Sequence, residues 1–472
     1  MTQDLTRASA SELSSLFAAG KASPVEALDA VLRRCAQLNP KLNALPHIDE
    51  EGARAQAKAS EGRWARREPL SPLDGVPVSV KELIRVKGWP LTMASKLTDK
   101  SPQDEDATTV SRLREAGAVI FATNASPEYG FKGVTDSPLN GITRNPWNTG
   151  VTPGGSSGGA GAAVAAGLGP LAIGTDGGGS IRIPSACTGL VGLKATYGRI
   201  PAWPASMHGD LANTGPMTRT ARDAALMLNV LKGSDVRDPL ALPPTDTDFV
   251  ASLDQNLRGF RVGLVVRFGD FFLDPEIEAA VRDAADRFRS LGCEVEEITP
   301  PTENKETGRV FVTHWFAALQ RLLQLYPEAR YGEFDPALYE QARTGAALSV
   351  QAIVDAQVRR REMAHAWNQV FARYDLVISP TLATVPPPVG QNLPDGPDGR
   401  PNPFWSNTAI FNLTRHPAVS VPCGISRVGT PIGLQIAAAH FRDDLVLAAA
   451  EALERQAPLS FPLEPLTAVP HG

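Results

Sequence analysis

A serine that directly follows three glycines is the residue of this chain best suited to nucleophilic chemistry. The stretch is GTDGGGSIR, in which Gly177, Gly178 and Gly179 precede Ser180. Glycines adopt positive φ and have no Cβ, so several N–H groups can point to one spot beside the hydroxyl. Such donors stabilise the oxyanion formed when a serine attacks a carbonyl. The stretch therefore predicts an oxyanion hole built from the N–H groups of these four residues, although an ordinary glycine turn has the same pattern.

Two charged residues flank this loop. Asp176 precedes the glycines and Arg182 follows the serine. A carboxylate and a guanidinium can form paired hydrogen bonds that would hold the two arms of the loop together. The alternative is a solvated surface pair that contributes little. A phosphate-binding loop is excluded, because no Gly-Lys-Ser/Thr sequence follows and no G-x-G-x-x-G pattern opens a helix.

A second serine motif, PGGSSGG, lies upstream and contains G-x-S-x-G from Gly154 to Gly158. In α/β-hydrolases this motif forms a nucleophile elbow, which would make Ser156 the nucleophile. The elbow requires a strand before the serine, but the preceding NPWNTGVTP predicts a loop. The AGAAVAAG that follows predicts a helix packed through small residues. The elbow at Ser156 and a plain Gly/Ser linker are therefore the less favoured interpretations.

A nucleophilic serine needs a base, and Lys81 is the candidate. It ends the mostly apolar run GVPVSVK, which predicts a buried strand. Because burial removes solvent from the charged form, we expect the pKa of this lysine to fall. A lysine that reaches solvent at a sheet edge is the alternative. His208, His314 and His416 are other possible bases, but none stands in a recognisable catalytic pattern.

The segments around these residues alternate between helix and strand patterns, which indicates an α/β fold. Strands are predicted at GVPVSVK, AVIFAT, FRVGLVV, CEVEEI, DLVISP, PAVSVPCG and PIGLQIA. Capping boxes at Ser9–Glu12 and Ser23–Glu26 predict two N-terminal helices, the second ending at Asn39-Pro40. One long helical stretch is predicted at about 338–373. Because strands occur in early and late segments, we expect one continuous sheet.

Composition excludes several classes of protein. With 43% hydrophobic and 21% charged residues, the chain is typical of soluble globular proteins. A net charge of -5 provides no overall positive electrostatic field that would attract nucleic acid. Four scattered cysteines indicate reduced thiols in a cytoplasmic protein. The histidines lack the spacing of metal ligands, so we expect neither a metal nor a cofactor. The N-terminal MTQDLTRASASEL predicts no signal peptide, and the uncharged residues 150–175 are too poor in large apolar side chains for a membrane span.

Together these motifs resemble the amidase signature family. The resemblance rests on PGGSSGGAGAAVAAG, GTDGGGSIRIPSACTGLVGLKATYGR and the lysine strand GVPVSVKEL. YDLVISPT, FNLTRHPAVSVPCG and PIGLQIAAAHFRDDLVLAAA extend it to about residues 9–455, most weakly over about 235–365. It implies a large mixed sheet flanked by helices in a single α/β domain. We therefore expect one amidase domain over residues 1–472, with a signature core at about 75–215 and a more variable substrate-pocket region at about 235–410.

The resemblance also implies the catalytic residues and the reaction. The family uses a Ser–cis-Ser–Lys triad, which assigns the nucleophile to Ser180, the bridging serine to Ser156 and the base to Lys81. The bridging serine of the family lies across a cis peptide bond. The implied reaction is amide hydrolysis through an acyl-enzyme, without metal or cofactor. The residues that flank the two serines are expected to support them: Ser157, Asp176 and Arg182.

The chain departs from the family pattern near the site. Gly177 stands where threonine or isoleucine is common, Ala195 replaces a frequent proline, and Ala160 stands where larger residues often occur. We expect these changes to loosen the loop of residues 177–180, called the oxyanion loop below, without altering the triad.

The substrate is predicted less directly. One family branch, the glutaminase subunit of the tRNA-dependent amidotransferase, usually shows SIRQPA and a DQIGP-like segment. Here the residues are SIRIPS and LANTGP, with Ile183 and Ala212 near those polar positions. A free-standing amidase acting on an apolar or aryl amide, as a monomer or homodimer, is therefore favoured. The alternatives are that glutaminase subunit with its partner chains and a non-catalytic binding protein. The aromatic residues offered as pocket walls are Trp89, Trp203, Trp315, Phe316, Phe404 and Trp405.

Overall fold

An 11-stranded mixed sheet runs through the computed structural model of the chain, which describes residues 4–462. A two-stranded ribbon, formed by Asp136–Ser137 and Gly141–Ile142, lies outside this sheet. The strands of the described residues are β1 (His47–Ile48), β2 (Pro77–Lys81), β3 (Val119–Asn124), β4 (Asp136–Ser137), β5 (Gly141–Ile142), β6 (Leu171–Asp176), β7 (Val191–Lys194), β8 (Asn213–Thr218), β9 (Arg261–Leu264), β10 (Glu294–Glu297), β11 (Leu376–Pro380), β12 (Ala418–Ile425) and β13 (Pro431–Ala438).

Helices flank the sheet, and short 3-10 turns occur in the connections. The α-helices of the described residues are α1 (Ala10–Ala18), α2 (Pro24–Leu42), α3 (Glu50–Ala65), α4 (Thr108–Glu115), α5 (Gly158–Ala165), α6 (Arg182–Thr188), α7 (Ala221–Leu231), α8 (Pro275–Ser290), α9 (Asn304–Leu319), α10 (Leu322–Leu325), α11 (Pro336–Ala346), α12 (Val350–Phe371), α13 (Ala409–Leu413) and α14 (Asp443–Gln456).

The strand order is β1-β3-β2-β6-β8-β7-β12-β13-β11-β9-β10. Parallel pairs occur near both ends of the sheet, where β2 lies between β3 and β6 and β9 lies between β10 and β11. The central pairs from β6 to β11 are antiparallel. The predicted α/β fold with a large mixed sheet is confirmed. The division into one domain stays a prediction, which is favoured because early and late strands share this sheet.

The small residues of the uncharged stretch allow close packing of α5 in the interior. A Cβ on Gly159 would lie 2.1 Å from the Ala125 backbone nitrogen, and one on Gly158 would lie 2.3 Å from Thr135 Oγ1. Every residue of α5 is buried. Across residues 4–462, the structure contains no helix with the length and apolar character needed to cross a bilayer.

Two helix predictions were wrong in their boundaries. Helix α2 continues through Pro40 and ends at Leu42; its C-cap is Asn43, which has φ 52° and whose N–H donates to the Asn39 carbonyl oxygen at 2.7 Å. The long stretch at 338–373 is two helices, because Ser349 caps a new one by accepting the Ala352 N–H. Both N-terminal capping boxes are confirmed. The N-terminal segment MTQDLTRASASEL was predicted to contain no signal peptide, and its first three residues lie outside the described residues.

Candidate active site

Lys81 lies at the end of β2 and is fully buried between β3 and β6. Its Nζ lies 2.7 Å from Ser156 Oγ, 2.8 Å from Ser157 Oγ and 2.9 Å from Thr175 Oγ1. Burial lowers the pKa of Lys81 to about 7, against the opposing effect of the carboxylates of Asp176 and Glu82. The expectation of a buried lysine with a lowered pKa is confirmed, and the solvent-reaching alternative is wrong. A substantial share of this amine is uncharged at neutral pH.

Ser156 sits in a loop that leads into α5. The peptide bond between Gly155 and Ser156 is cis, as the resemblance implies. No strand directly precedes the serine, so the local structure required for a nucleophile elbow is missing here. A Cβ on Gly155 would lie 2.5 Å from the Val134 carbonyl oxygen, so only glycine fits before this serine.

The hydroxyl of Ser157 donates one hydrogen bond and accepts two. Its Oγ accepts the Thr175 N–H at 3.2 Å and donates to the Thr175 carbonyl oxygen at 3.2 Å, besides contacting Lys81 Nζ. A hydroxyl has one proton, so the contact with Lys81 must be one in which Ser157 accepts. Ser157 therefore ties the lysine to the end of β6.

Ser180 lies in the turn from β6 to α6, and its side chain lines the same cavity as Ser156. The backbone N–H groups of Gly177, Gly178 and Ser180 have no acceptor within residues 4–462. Gly179 differs, because its N–H donates to Asp176 Oδ1 at 2.8 Å and its φ is +131°. The expected donor at Gly179 is therefore corrected: the Asp176 carboxylate occupies it, and three of the four predicted N–H groups remain without an acceptor in the described part of the chain.

The two serines are neighbours without a direct bond between their hydroxyls. No hydrogen bond joins Ser156 Oγ to Ser180 Oγ, both of which belong to the described residues. Instead, the Ser157 N–H donates to the Ser180 carbonyl oxygen at 3.1 Å. Catalytic hydrogen bonds are often long before substrate binds and shorten in the complex.

Asp176 and Arg182 form the predicted ion pair, and both are fully buried. Arg182 Nε donates to Asp176 Oδ2 at 3.0 Å and Nη2 to Oδ1 at 2.9 Å. Arg182 also donates to Gln435 Oε1 at 2.7 Å, Asn412 Oδ1 at 2.6 Å and the Thr408 carbonyl oxygen at 2.9 Å. Burial alone would raise the pKa of Asp176, but the charge and hydrogen bonds of Arg182, together with a hydrogen bond from Asn412 Nδ2 to Oδ1, lower it to about 2. The surface-pair alternative is wrong.

We expect Arg182→Ala to lower the free energy of unfolding by about 3–5 kcal/mol, because it leaves the Asp176 carboxylate buried without its partner. Urea unfolding followed by circular dichroism measures the change. Arg289→Ala is the matched control, since Arg289 pairs with Asp286 at the surface with side chains 47% and 71% exposed; it should change stability by less than about 0.5 kcal/mol. Equal losses in the two variants would contradict a structural role for the buried pair.

A cavity of about 540 Å³ opens over Ser156 and Ser180. Of the six predicted aromatic residues, Trp203 and Trp315 line it. The other four pack elsewhere: Trp89 in the main core, Trp405 against Ile183 and Leu382, Phe404 on Phe271, and Phe316 in the cluster beside Trp315. Several other apolar residues that line the cavity were not predicted: Leu83, Ile84, Leu91, Met93, Tyr129 and Met207. Leu83 and Ile84 lie two and three residues after Lys81 in KELI, and this closeness to the lysine could have identified them.

The oxyanion loop is packed tightly, which contradicts the expectation that Gly177 loosens it. A Cβ on Gly177 would lie 2.8 Å from Trp315 Cζ3, and one on Gly178 would lie 2.4 Å from Phe311 Cζ. Aromatic rings therefore take the space that side chains would occupy. The other two departures, Ala160 and Ala195, are buried.

Several residues near the site were missed or misplaced by sequence reasoning. Thr175 contacts Lys81, while the next residue in the strand, Asp176, points to Arg182; successive strand residues face opposite sides, which could have signalled this division. His208 stacks on Trp315, and His416 bonds to Thr414 Oγ1 at 2.9 Å. Neither histidine contacts a serine of the site in the part of the chain that the structure describes.

The two positions that distinguish the glutaminase branch, Ile183 and Ala212, lie in different environments. Ala212 lines the cavity and offers no polar group there. Ile183 is buried in an apolar cluster with Leu382 and Trp405 and serves packing. The described residues contain no group of three or more histidine, cysteine or acidic side chains that could hold a metal ion.

Comparison with known proteins gives a consistent result. The family model described as Amidase matches residues 26–447. An acylamidase from Rhodococcus erythropolis is 39% identical over 97% of this chain and 97% of its own length. One subunit of the glutamyl-tRNA(Gln) amidotransferase from Roseiflexus sp. (strain RS-1) is 34% identical over 92% of this chain and 93% of its own. The solved structure of a bacterial aryl acylamidase of the amidase signature family superimposes with a TM-score of 0.89 at 35% identity, covering 96% of each chain. These matches span nearly the whole sequence, and they show that the chain belongs to the amidase signature family and is a hydrolase of amide C–N bonds.

Proposed function

We propose that this chain is a free-standing serine amidase that converts an apolar or aryl carboxylic amide to an acid and ammonia or an amine, through an acyl-enzyme on Ser180. One observation carries the proposal: the buried amine of Lys81, with its pKa near neutrality, contacts Ser156 beside the cavity that Ser180 lines.

The hydrogen-bond partners of Lys81 support its role as the base. An uncharged lysine amine has two N–H donors and one lone pair. One donor goes to Ser157, whose own proton is given to the Thr175 carbonyl oxygen. The second reaches Thr175 Oγ1. The lone pair then faces Ser156 Oγ, the shortest of the three contacts, so Ser156 can donate its proton to Lys81.

The reaction follows from this arrangement. As Ser156 gives its proton to Lys81, it takes the proton of Ser180, whose Oγ forms a bond to the amide carbonyl carbon. The N–H groups of Gly177, Gly178 and Ser180 stabilise the resulting oxyanion. The C–N bond then breaks while the proton returns from Lys81 through Ser156 to the departing nitrogen. Water attacks the acyl-enzyme by the same relay and releases the acid.

The cavity lining supports an apolar substrate. Side chains such as Leu91, Met93, Trp203 and Met207 dominate its surface, and Ala212 contributes no hydrogen bond. The acylamidase relative and the aryl acylamidase neighbour act, by their names, on acyl amides. The similarity to one chain of the glutamyl-tRNA(Gln) amidotransferase supports one second candidate, a glutaminase that works with partner chains. We also propose a cytoplasmic location, supported by four free, buried cysteines.

Hydrolysis of an amide panel by the purified chain alone tests the proposal. We expect turnover of apolar and aryl amides, a burst of amine release equal to the enzyme concentration when deacylation is slow, and an intact mass increased by the acyl group. Glutamine should be a poor substrate. Glutamine hydrolysis only in the presence of amidotransferase partner chains would support the second candidate, and an inactive chain with no covalent adduct would support a non-catalytic binding protein.

A further inference from the structure

Three aromatic rings, those of His208, Trp315 and Phe311, lie against each other next to the oxyanion loop and form a ring stack. The His208 and Trp315 rings are stacked, with centroids 3.7 Å apart and nearly parallel planes, at an angle of 5°. Phe311 packs on Trp315 at 5.3 Å and 26°. His208 and Trp315 both line the cavity that Ser180 shares. The ring stack therefore forms a rigid, planar part of the cavity boundary.

The ring stack and the oxyanion loop depend on each other through Gly177. The backbone of Gly177 lies outside the positive-φ region, so its conformation would accept a side chain. What excludes one is Trp315, whose ring carbons Cζ3 and Cη2 would lie 2.8 Å and 3.3 Å from a Cβ at this position. Glycine at 177 thus serves to admit the edge of the tryptophan ring next to an oxyanion donor.

His208 is suited to stacking and not to proton transfer. Neither of its ring nitrogens has a hydrogen-bond partner within residues 4–462, and both are shielded from solvent. Burial lowers the pKa of His208 to about 3, so the ring is uncharged at neutral pH. An uncharged imidazole that is stacked on an indole covers one face of it and presents its own flat face without adding charge.

We propose that Trp315, supported by His208 and Phe311, selects amides that carry a planar aromatic group next to the scissile bond, and that Gly177 is required to seat this tryptophan. The inference rests on the proposed amidase function and adds the residues that decide its substrate class. The aromatic group can belong to the acyl part or to the amine part of the substrate, and matched substrates distinguish the two.

Two substrate pairs isolate planarity from size. Benzamide and cyclohexanecarboxamide carry the ring on the acyl side, while acetanilide and N-cyclohexylacetamide carry it on the amine side. The ratio of kcat/KM for the aromatic member to that for the saturated member is measured in the wild type and in each variant. Comparing the ratios between variants cancels the intrinsic reactivity of each amide.

We expect Trp315→Leu to lower this ratio roughly three- to tenfold for the pair whose ring contacts the stack. Trp315→Phe, which keeps a planar ring, should retain most of the ratio. His208→Leu, a milder change on the same surface, should lower it in the same direction. Trp64→Leu is the matched control, because Trp64 packs on Phe17 and donates to the Asp74 carbonyl oxygen far from the cavity lining; its ratio should equal that of the wild type.

The dependence on Gly177 has its own test. We expect Gly177→Ala to lower kcat/KM for all four amides, because the added Cβ displaces Trp315 or the loop. Adding Trp315→Leu to Gly177→Ala should restore kcat/KM to within about twofold of Trp315→Leu alone, since the clash is removed. Losses that simply multiply in the double variant would overturn the coupling.

Other outcomes separate this inference from the proposed function. If the wild type hydrolyses these amides but both Trp315→Leu and His208→Leu leave both ratios unchanged, the ring stack does not select the substrate. A loss of ratio for the acyl-side pair places the ring on the acyl part, and a loss for the amine-side pair places it on the amine part. A wild type that hydrolyses none of the four amides would contradict the proposed function, and the inference with it.

Discussion

Ser180→Ala is expected to lower kcat for amide hydrolysis by about 10,000-fold or more, with the fold retained. The alanine has no oxygen to bond to the carbonyl carbon, so no acyl-enzyme forms, and removal of a serine nucleophile in comparable relays has effects of this size. Stopped-flow detection of the amine, together with intact-mass measurement, follows the loss of both turnover and the covalent adduct.

Ser185→Ala is the matched control for this change. Ser185 lies in α6, one turn after Ser180, and its Oγ has no hydrogen-bond partner in the described part of the chain. Its removal should leave kcat within about twofold of the wild type, as for changes away from special features. Wild-type turnover by Ser180→Ala would contradict the assignment of the nucleophile.

The second large effect is expected at Lys81. Lys81→Met keeps the length of the side chain but removes the amine, so we expect kcat to fall about 100- to 10,000-fold, the usual contribution of a general base. A decrease of less than about tenfold, equivalent to roughly 1.4 kcal/mol of barrier, would show that Lys81 is not the base. Thermal unfolding of the variant checks that the fold persists.

The pH dependence gives the same residue a second test. Only the uncharged amine accepts a proton, and the pKa of Lys81 is lowered to about 7 by burial. For the wild type, kcat/KM should therefore rise about tenfold per pH unit below about pH 7 and level off above it. A profile that stays flat between pH 5 and 8 would contradict an ionising base with this pKa.

Lys194 supplies the control for that profile. Burial and the charge of Arg182 lower the pKa of Lys194 to about 7 as well, but its Nζ donates to the Ala195 carbonyl oxygen at 3.0 Å and forms no hydrogen bond with Ser156 or Ser180, both of which belong to the described residues. Lys194→Met should therefore keep the rise of kcat/KM with pH. Loss of the rise in this variant, and not in Lys81→Met, would show that Lys194 is the titrating group and would contradict the role of Lys81.

Local patterns allowed much of the fold and of the candidate site to be predicted. The apolar run that ends in Lys81, the capping boxes at Ser9 and Ser23 and the late strand pair β12 with β13 all depend on neighbouring residues, which a sequence displays directly. The glycines before Ser180 likewise signalled backbone donors. The charges on both sides of that loop, Asp176 and Arg182, predicted the buried ion pair.

What could not be predicted depends on contacts between distant segments. Trp315 fills the space beside Gly177 from helix α9, so the glycine alone suggested looseness where the structure has tight packing. The N–H of Gly179 is occupied by the carboxylate of Asp176 because the loop folds back on its own strand, a turn that the residue types alone do not specify. Trp89 was predicted to line a pocket but is buried in the core. An aromatic ring suits a pocket wall and a protein core equally well, so its residue type alone does not distinguish the two.

The reaction of the wild type and of Lys81→Met with a fluorophosphonate, mapped by peptide mass spectrometry across pH 5 to 9, tests the activation of Ser180 by Lys81 most directly. We expect the phosphonyl group on Ser180, with a labelling rate that rises with pH up to about 7 and then levels off, following the pKa of Lys81. In Lys81→Met the rate should fall at least about 100-fold and lose this rise. Labelling of Ser156 instead of Ser180, or an unchanged labelling rate and pH dependence in Lys81→Met, would contradict the activation of Ser180 by Lys81.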